Sequence, residues 1–180
     1  MKTLVLGILV LLTVISGLNA QDIKPTLPVD PETKLVTYRE VVTVAGTQAE
    51  LFNRGIEWVN KQYKNPFDAT KVRNPATGII EIIHRFDLAT EELGNKRTGG
   101  IIDYSMKIEL KDGRYRYTIN NFNLKDASRH PIELWLDKTD KAYDPIYENY
   151  LRQVDDFAEK LIESLKAGML PLAPKKVDEW

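Results

Sequence analysis

The sequence predicts one α+β domain with a largely antiparallel sheet and helices gathered on one face. Three observations predict it. Segments rich in β-branched residues, alternating with period two, recur between residues 35 and 124. Asp112-Gly113 falls between two of them as the strongest short-range hairpin signal. Residues 48–63 and 145–167 instead repeat their apolar side chains at helical spacing.

The chain opens MKTLVLGILVLLTVISGLNAQ, with Lys2 before an almost wholly apolar run from Leu4 to Leu18 and small or polar residues at Asn19-Ala20-Gln21. That order predicts a signal peptide over residues 1–20, cleaved after Ala20. The run is shorter than the roughly 20 apolar residues of a membrane span, so no stable span is expected after cleavage. No cysteine follows it, which excludes a lipid-modified cysteine anchor. Export to the periplasm or beyond the cell is the expectation. An exported chain without cysteine has no disulfides and stabilises itself by burial. Only Lys2 of the charged residues lies in the signal segment, so the mature chain keeps 24 basic residues against 26 acidic. A balance this close to neutral offers no broad field to polyanions or acidic membranes.

Residues 21–34 (QDIKPTLPVDPETK) hold three prolines and read as an extended leader. In LVTYREVVTV (35–44), Val36, Tyr38, Val42 and Val44 share one face, interrupted by Glu40, which predicts a strand. Gly46 ends it. Thr47-Gln48-Ala49-Glu50 has the capping-box form and starts a helix over 48–63. Phe52, Ile56, Val59 and Tyr63 make its stripe, flanked by Leu51 and Trp58. Gly55 inside it costs about 0.5–1 kcal/mol relative to Ala, so close approach of this helix to a sheet is expected. A short strand near 69–73 leads to the Asn74-Pro75-Ala76-Thr77-Gly78 turn. IIEIIHRF (79–86) is the next strand, apolar on both faces at its start, and polar residues 88–100 read as a loop. Strands over 101–110 and 114–124 follow. Asp144 caps and Pro145 opens a long helix whose stripe runs from Tyr147 to Leu165 until Gly168 stops it, and residues 169–180 read as a loose tail. The division is therefore a leader over 21–34, an α+β domain over 35–126, a connecting segment over 127–142, a helix over 143–168 and a tail.

The stretch MKIELKDGRYRYTINNF (106–122) interleaves cations and rings, a texture that raises nucleic-acid binding. A two-residue Asp112-Gly113 turn, with positive φ at both positions, sets Lys111 opposite Arg114, Glu109 opposite Arg116 and Ile108 opposite Tyr117. Alternation then places Met106, Ile108, Leu110, Tyr115, Tyr117 and Ile119 on one face, with Lys107, Glu109, Lys111, Arg114, Arg116 and Thr118 on the other. Base stacking needs rings and cations on one surface. Here the rings are core, Glu109 sits where it pairs with Arg116, and no nucleic-acid partner is expected. The same register would turn Asn121 and Asn123 inward, so a β-bulge near Asn120-Asn121 is expected to return Phe122 and Leu124 to the core.

Catalytic chemistry finds little support. His84 and His130 are the only histidines, and neither has metal-ligand spacing to a second ligand. Asp126, Ser128 and His130 put three triad residue types in one loop, but triads are defined by geometry. The bland reading is a polar turn before Pro131. Asp137, Asp140 and Asp144 lack calcium-loop spacing, Asp155-Asp156 point about 100° apart on a helix, and Gly99-Gly100 lacks the rest of a phosphate-binding motif. No metal or cofactor is implied.

From Val36 to Leu124, through VVTVAGTQAELFNRGIEWV, ATGIIEI and YSMKIELKDGRYRYTINNF, the chain resembles a family of exported bacterial proteins: the domain of unknown function 4468, with a TBP-like fold. The resemblance implies a five-stranded, mostly antiparallel sheet (strand, helix, four strands) closed by a helix. It implies no activity, and the fold name carries no TATA-box recognition with it. The resulting expectation is a non-enzymatic exported module that binds an unknown protein or small ligand. Its candidate surface is Lys107, Glu109, Lys111, Arg114 and Arg116, joined by Arg39 and Thr37. The alternative is a hydrolase using the Asp126/Ser128/His130 loop. A third is a structural role in which the helix 145–167 docks a partner or dimerises.

Overall fold

The structure, a computed structural model, describes residues 27–92, 95–125 and 128–171. The expected signal peptide, residues 21–26 of the leader, Asp126 and residues 172–180 of the tail lie outside the described residues. The elements are β1 (Tyr38–Thr43), α1 (Gln48–Gln62), the single turn α2 (Pro66–Ala69), β2 (Thr70–Asn74), β3 (Ile79–Glu92), β4 (Asn95–Lys111), β5 (Arg114–Lys125), β6 (Arg129–Pro131), a 3-10 turn (Ile132–Leu136) and α3 (Ile146–Gly168). Across the sheet the order is β1-β5-β4-β3-β2, every pair antiparallel, with β6 continuing the β1 edge alongside the end of β5. Helix α1 carries the chain from one edge of the sheet to the other. The meander β2 to β5 then walks back until β5 meets β1.

Local chemistry sets the boundaries. Thr47 and Glu50 close the capping box on α1: Glu50 N–H donates to Thr47 Oγ1, and Thr47 N–H donates to Glu50 Oε2. Gly55 lets α1 lie on β3, because a Cβ there would stand 2.9 Å from Ile80 Cδ1. Asp144 Oδ1 accepts from Ile146 N–H at the start of α3. Helix α3 ends at Gly168, as expected. This residue is small because a Cβ there would stand 2.8 Å from Trp58. Trp58 Nε1–H donates to Ser164 Oγ at 3.0 Å, which fixes α1 to α3.

Helices and sheet share one core. Ile80, Ile82, Tyr104, Met106, Ile108, Tyr115, Ile119 and Phe122 look inward from the strands, and Leu51 and Val59 of α1 meet them with Val154, Ala158, Leu161 and Leu165 of α3. Each fully buried aliphatic side chain contributes about 1.5–3 kcal/mol of transfer free energy. The apolar stripe of α3 is thus spent on its own sheet and on α1, so a helix held out for a partner is not what the fold contains. Phe157 of α3 stacks on Phe86 of β3 with centroids 3.9 Å apart.

Four local readings change. Residues 88–100 are not a loop: β3 runs to Glu92 and β4 begins at Asn95. Backbone pairing runs through this polar arm, whose base is anchored by buried Leu88. A bulge at Gly99 opens the ladder beside Ala89, and the Gln153 carboxamide of α3 meets both freed groups of Ala89, accepting from its N–H and donating to its carbonyl at 2.8 Å each. The leader, over its described part, is not simply extended: Leu27 is buried, Val29 bridges Val36, and Asp30 closes a turn by accepting from Glu32 and Thr33 N–H. Between β5 and α3, Ile132 and Trp135 are buried, so the 3-10 turn belongs to the core. At Asp112-Gly113 only the glycine has positive φ, +72°. The expected mirror-image turn is displaced because Asp112 Oδ1 accepts from Gln48 N–H and Gly113 N–H donates to Gly46 O, docking the hairpin tip on the entry to α1.

The expected bulge is present. Ser105 pairs Asn120 and Asp103 pairs Asn123, leaving Asn121 and Phe122 opposite Tyr104 alone. Asn121 takes φ +57°, and the extra residue turns Phe122 to full burial.

A concave, helix-free sheet face as candidate binding site

Helices cover one side of the sheet, so the alternate side chains stand on an open face. The paired rows are as the register predicted: Lys111 opposite Arg114, Glu109 opposite Arg116, Lys107 opposite Thr118. Arg116 grips Glu109 through Nε at 2.7 Å and Nη2 at 2.6 Å. Lys107 lies 3.8 Å from both Glu109 and Glu81, which extends the ladder onto β3. These partners are between about one quarter and one half exposed, so the ladder orders the face more than it stabilises the fold. Arg39 joins the face from β1 and pairs with Asp30 at 3.5 Å. Two neighbouring bonds from Thr33 and Glu32 N–H, the Thr33 bond foremost, hold Asp30 below the usual carboxylate range. Thr37 does not join it. It is buried, with its N–H donating to Pro28 O.

Between these side chains the sheet is hollow. A groove of about 520 Å³ is floored by Ser105, Thr118, Asn120 and Asn121 and walled by Ile83, Lys107 and Arg116. It shares Ile83, Ser105 and Asn121 with a second hollow of about 440 Å³ that reaches Lys125 and Arg129. A third, of about 270 Å³, adjoins it at Glu109 and Arg116 and is bounded by Val41, Lys111 and Arg114. Two aliphatic side chains stand exposed here, Val41 at 57% and Ile83 at 50%. The candidate residues Lys107, Glu109, Arg114 and Arg116 are therefore brought together. The floor and Ile83 were not singled out from the sequence, although outward alternation from Ile79 places Ile83 beside Glu81.

The other candidate chemistry is scattered. Ser128 Oγ lies 3.4 Å from His130 Nδ1 on an exposed turn, long for a hydrogen bond to a hydroxyl. Asp126 lies outside the described residues. His84 packs its ring on Tyr63 with centroids 4.8 Å apart. Asp137, Asp140 and Asp144 each close a local turn, accepting from Thr139, Ala142 and Ile146 N–H. Asp155 is not simply a solvated acid, since it accepts the Tyr38 hydroxyl at 2.7 Å. Among the described residues no cluster of three His, Asp or Glu gathers, and no helix is long and apolar enough to cross a membrane.

No curated protein matches the chain. Two crystal structures share its fold. A TBP-like protein from Parabacteroides distasonis ATCC 8503 is 17% identical with a TM-score of 0.63, over 79% of this chain and 96% of that one. A DUF4468 family protein from Bacteroides ovatus ATCC 8483 is 14% identical with a TM-score of 0.61, over 79% of this chain and 90% of that one. The family described as a domain of unknown function (DUF4468) with TBP-like fold matches residues 38–125, which run from the first residue of β1 to the last of β5. Over that span the chain is a member of the DUF4468 family, and its α+β architecture is the TBP-like fold.

Proposed function

We propose that this chain is an exported, non-enzymatic binding module whose ligand lies in the groove of the open sheet face. The observation that carries the reading is the groove itself: at about 520 Å³ it falls in the size range of ligand sites, roughly 300–1,000 Å³. Its polar floor, mixed-charge walls and exposed aliphatic side chains suit recognition. The Ser128–His130 pair, exposed and 3.4 Å apart, has the weaker claim. Export rests on the apolar run before Asn19-Ala20-Gln21.

Both halves are tested in the native cell envelope. N-terminal sequencing of the protein recovered there is expected to begin at Gln21, and a start at Met1 overturns export. Partners recovered with the wild type are expected to be lost with the R114A/R116A double variant. Equal recovery removes this face as the binding surface.

A further inference from the structure

The open face carries a charge that the whole chain conceals. The formal net charge is −1, yet eight basic side chains line the three joined hollows against three acidic ones. Arg39, Lys71, Lys107 and Arg116 surround the middle. Lys111 and Arg114 stand at the Val41 end, and Lys125 and Arg129 at the other. Of the three acids, Glu81 and Glu109 are already engaged by Lys107 and Arg116, and the third is Asp103. The rest of the chain must then carry a net acidic charge, which the near-neutral total hides.

We propose that the trough binds an extended acidic peptide carrying aliphatic side chains, an inference that rests on the binding reading above. The basic excess attracts carboxylates and guides their approach. Hydroxyls and carboxamides of Ser105, Thr118, Asn120 and Asn121 offer donors and acceptors to a peptide backbone. Val41 and Ile83 supply aliphatic contact at intervals along it. The joined hollows run along β4 and β5, from Lys111 and Arg114 at one end to Lys125 at the other, about 35 Å at about 3.3 Å per residue, so an extended hexapeptide about 20 Å long covers rather more than half of them. Stacked bases or sugar rings find no platform: the aromatic residues at its lining, Tyr104 and Tyr115, are each 1% exposed. A flat bilayer does not reach a concave floor.

Fluorescence anisotropy on the intact mature protein tests this with four probes: labelled hexapeptides alternating Glu with Val or Leu, the same peptides with Lys for Glu, a DNA duplex, and phosphatidylglycerol vesicles. The acidic peptides are expected to bind at low salt and to weaken markedly at about 0.15 M ionic strength. Reversing Lys71→Glu with Lys111→Glu is expected to lower that affinity about tenfold or more. Lys71→Arg with Lys111→Arg retains it, and Lys160→Glu on the helix side leaves it unchanged. Thermal melting of each variant confirms that it is folded. Failure of the acidic peptides to bind, or equal binding by the reversed variant, overturns the inference. Tighter binding of DNA, vesicles or basic peptides, lost on R114A/R116A substitution, overturns the ligand class and leaves the face a binding surface. If no probe binds and envelope partners are recovered equally by R114A/R116A, both readings fall.

Discussion

Tyr117 and Glu40 face each other across β5 and β1, and the tyrosine hydroxyl donates to Glu40 Oε2 at 2.7 Å. Lys166 of α3 reaches the same oxygen at 2.7 Å, so one carboxylate joins two strands and a helix. This explains the acid that interrupts the apolar face of β1. The Lys166 contact first and the Tyr117 bond second hold Glu40 below its ordinary value of 4.5. A group depressed in the folded state contributes stability above its unfolded value and loses it as pH falls through the folded one. Glu40→Gln should therefore cost about 1 kcal/mol at neutral pH, a modest figure because the side chain is 45% exposed. It should also flatten the loss of stability below pH 4.5. Urea titrations at neutral and acid pH check both, and an unchanged acid limb would count against the linkage.

Gly78 and Gly113 share positive φ, +65° and +72°, but not surroundings. A Cβ on Gly78 would stand 2.4 Å from the Leu110 carbonyl oxygen, whereas one on Gly113 meets nothing within 4 Å. Gly113→Ala should cost only the left-handed conformation, about 1–2 kcal/mol. Gly78→Ala adds a backbone clash and should cost about 3 kcal/mol or more. Equal midpoints in chemical denaturation would refute the distinction.

Asn121 holds the bulge at φ +57°, a region that Asn tolerates and β-branched residues do not. Asn121→Gly should be nearly neutral. Asn121→Val should cost about 1–3 kcal/mol, with the loss of Phe122 burial visible in aromatic chemical shifts. A stable Val variant with native shifts would mean that the bulge sits elsewhere.

Alkaline titration should find slow-ionising tyrosines. Burial pushes Tyr104 and Tyr115 from 10.0 up to about 12. Their contribution is fully present below pH 10 and is lost as pH rises from 10 to about 12. Tyrosinate absorbance should therefore lag in the folded protein and rise with unfolding. The Tyr115 hydroxyl is buried with no partner among the described residues, so Tyr115→Phe should leave stability unchanged or raise it by up to about 1 kcal/mol. A loss above that would reveal a hydrogen bond to this hydroxyl.

Much of this fold was legible because short-range chemistry determines it. The register of the β4–β5 hairpin, the Thr47 cap and the Gly55 contact each depend on residues whose side chains name their task. The bulge was legible for a different reason: Phe122 would otherwise face water. Pairing between distant polar segments was not legible. The arm of β3 and β4 beyond Leu88 carries no apolar alternation, and its Ala89 groups are met by Gln153, 64 residues away. The turn type at Asp112 was set by Gln48, also 64 residues distant. At the candidate site, charges near the hairpin could be placed by counting. The hollow could not, because its lining is drawn from five strands, β1 to β5, brought together only by the sheet.

Over residues 102–110 of β4 and 115–119 of β5, every second side chain is buried and every intervening one is at least partly exposed. Buried Ile108 lies between Lys107 and Glu109, and buried Tyr115 between Arg114 and Arg116. Two alphabets are thus written in one string, and an edit to one leaves the other intact. Outward letters can drift or swap sign while the inward ones keep the domain folding. A scaffold of this kind separates inheritance of shape from inheritance of surface chemistry, so an open face can change while the architecture stays.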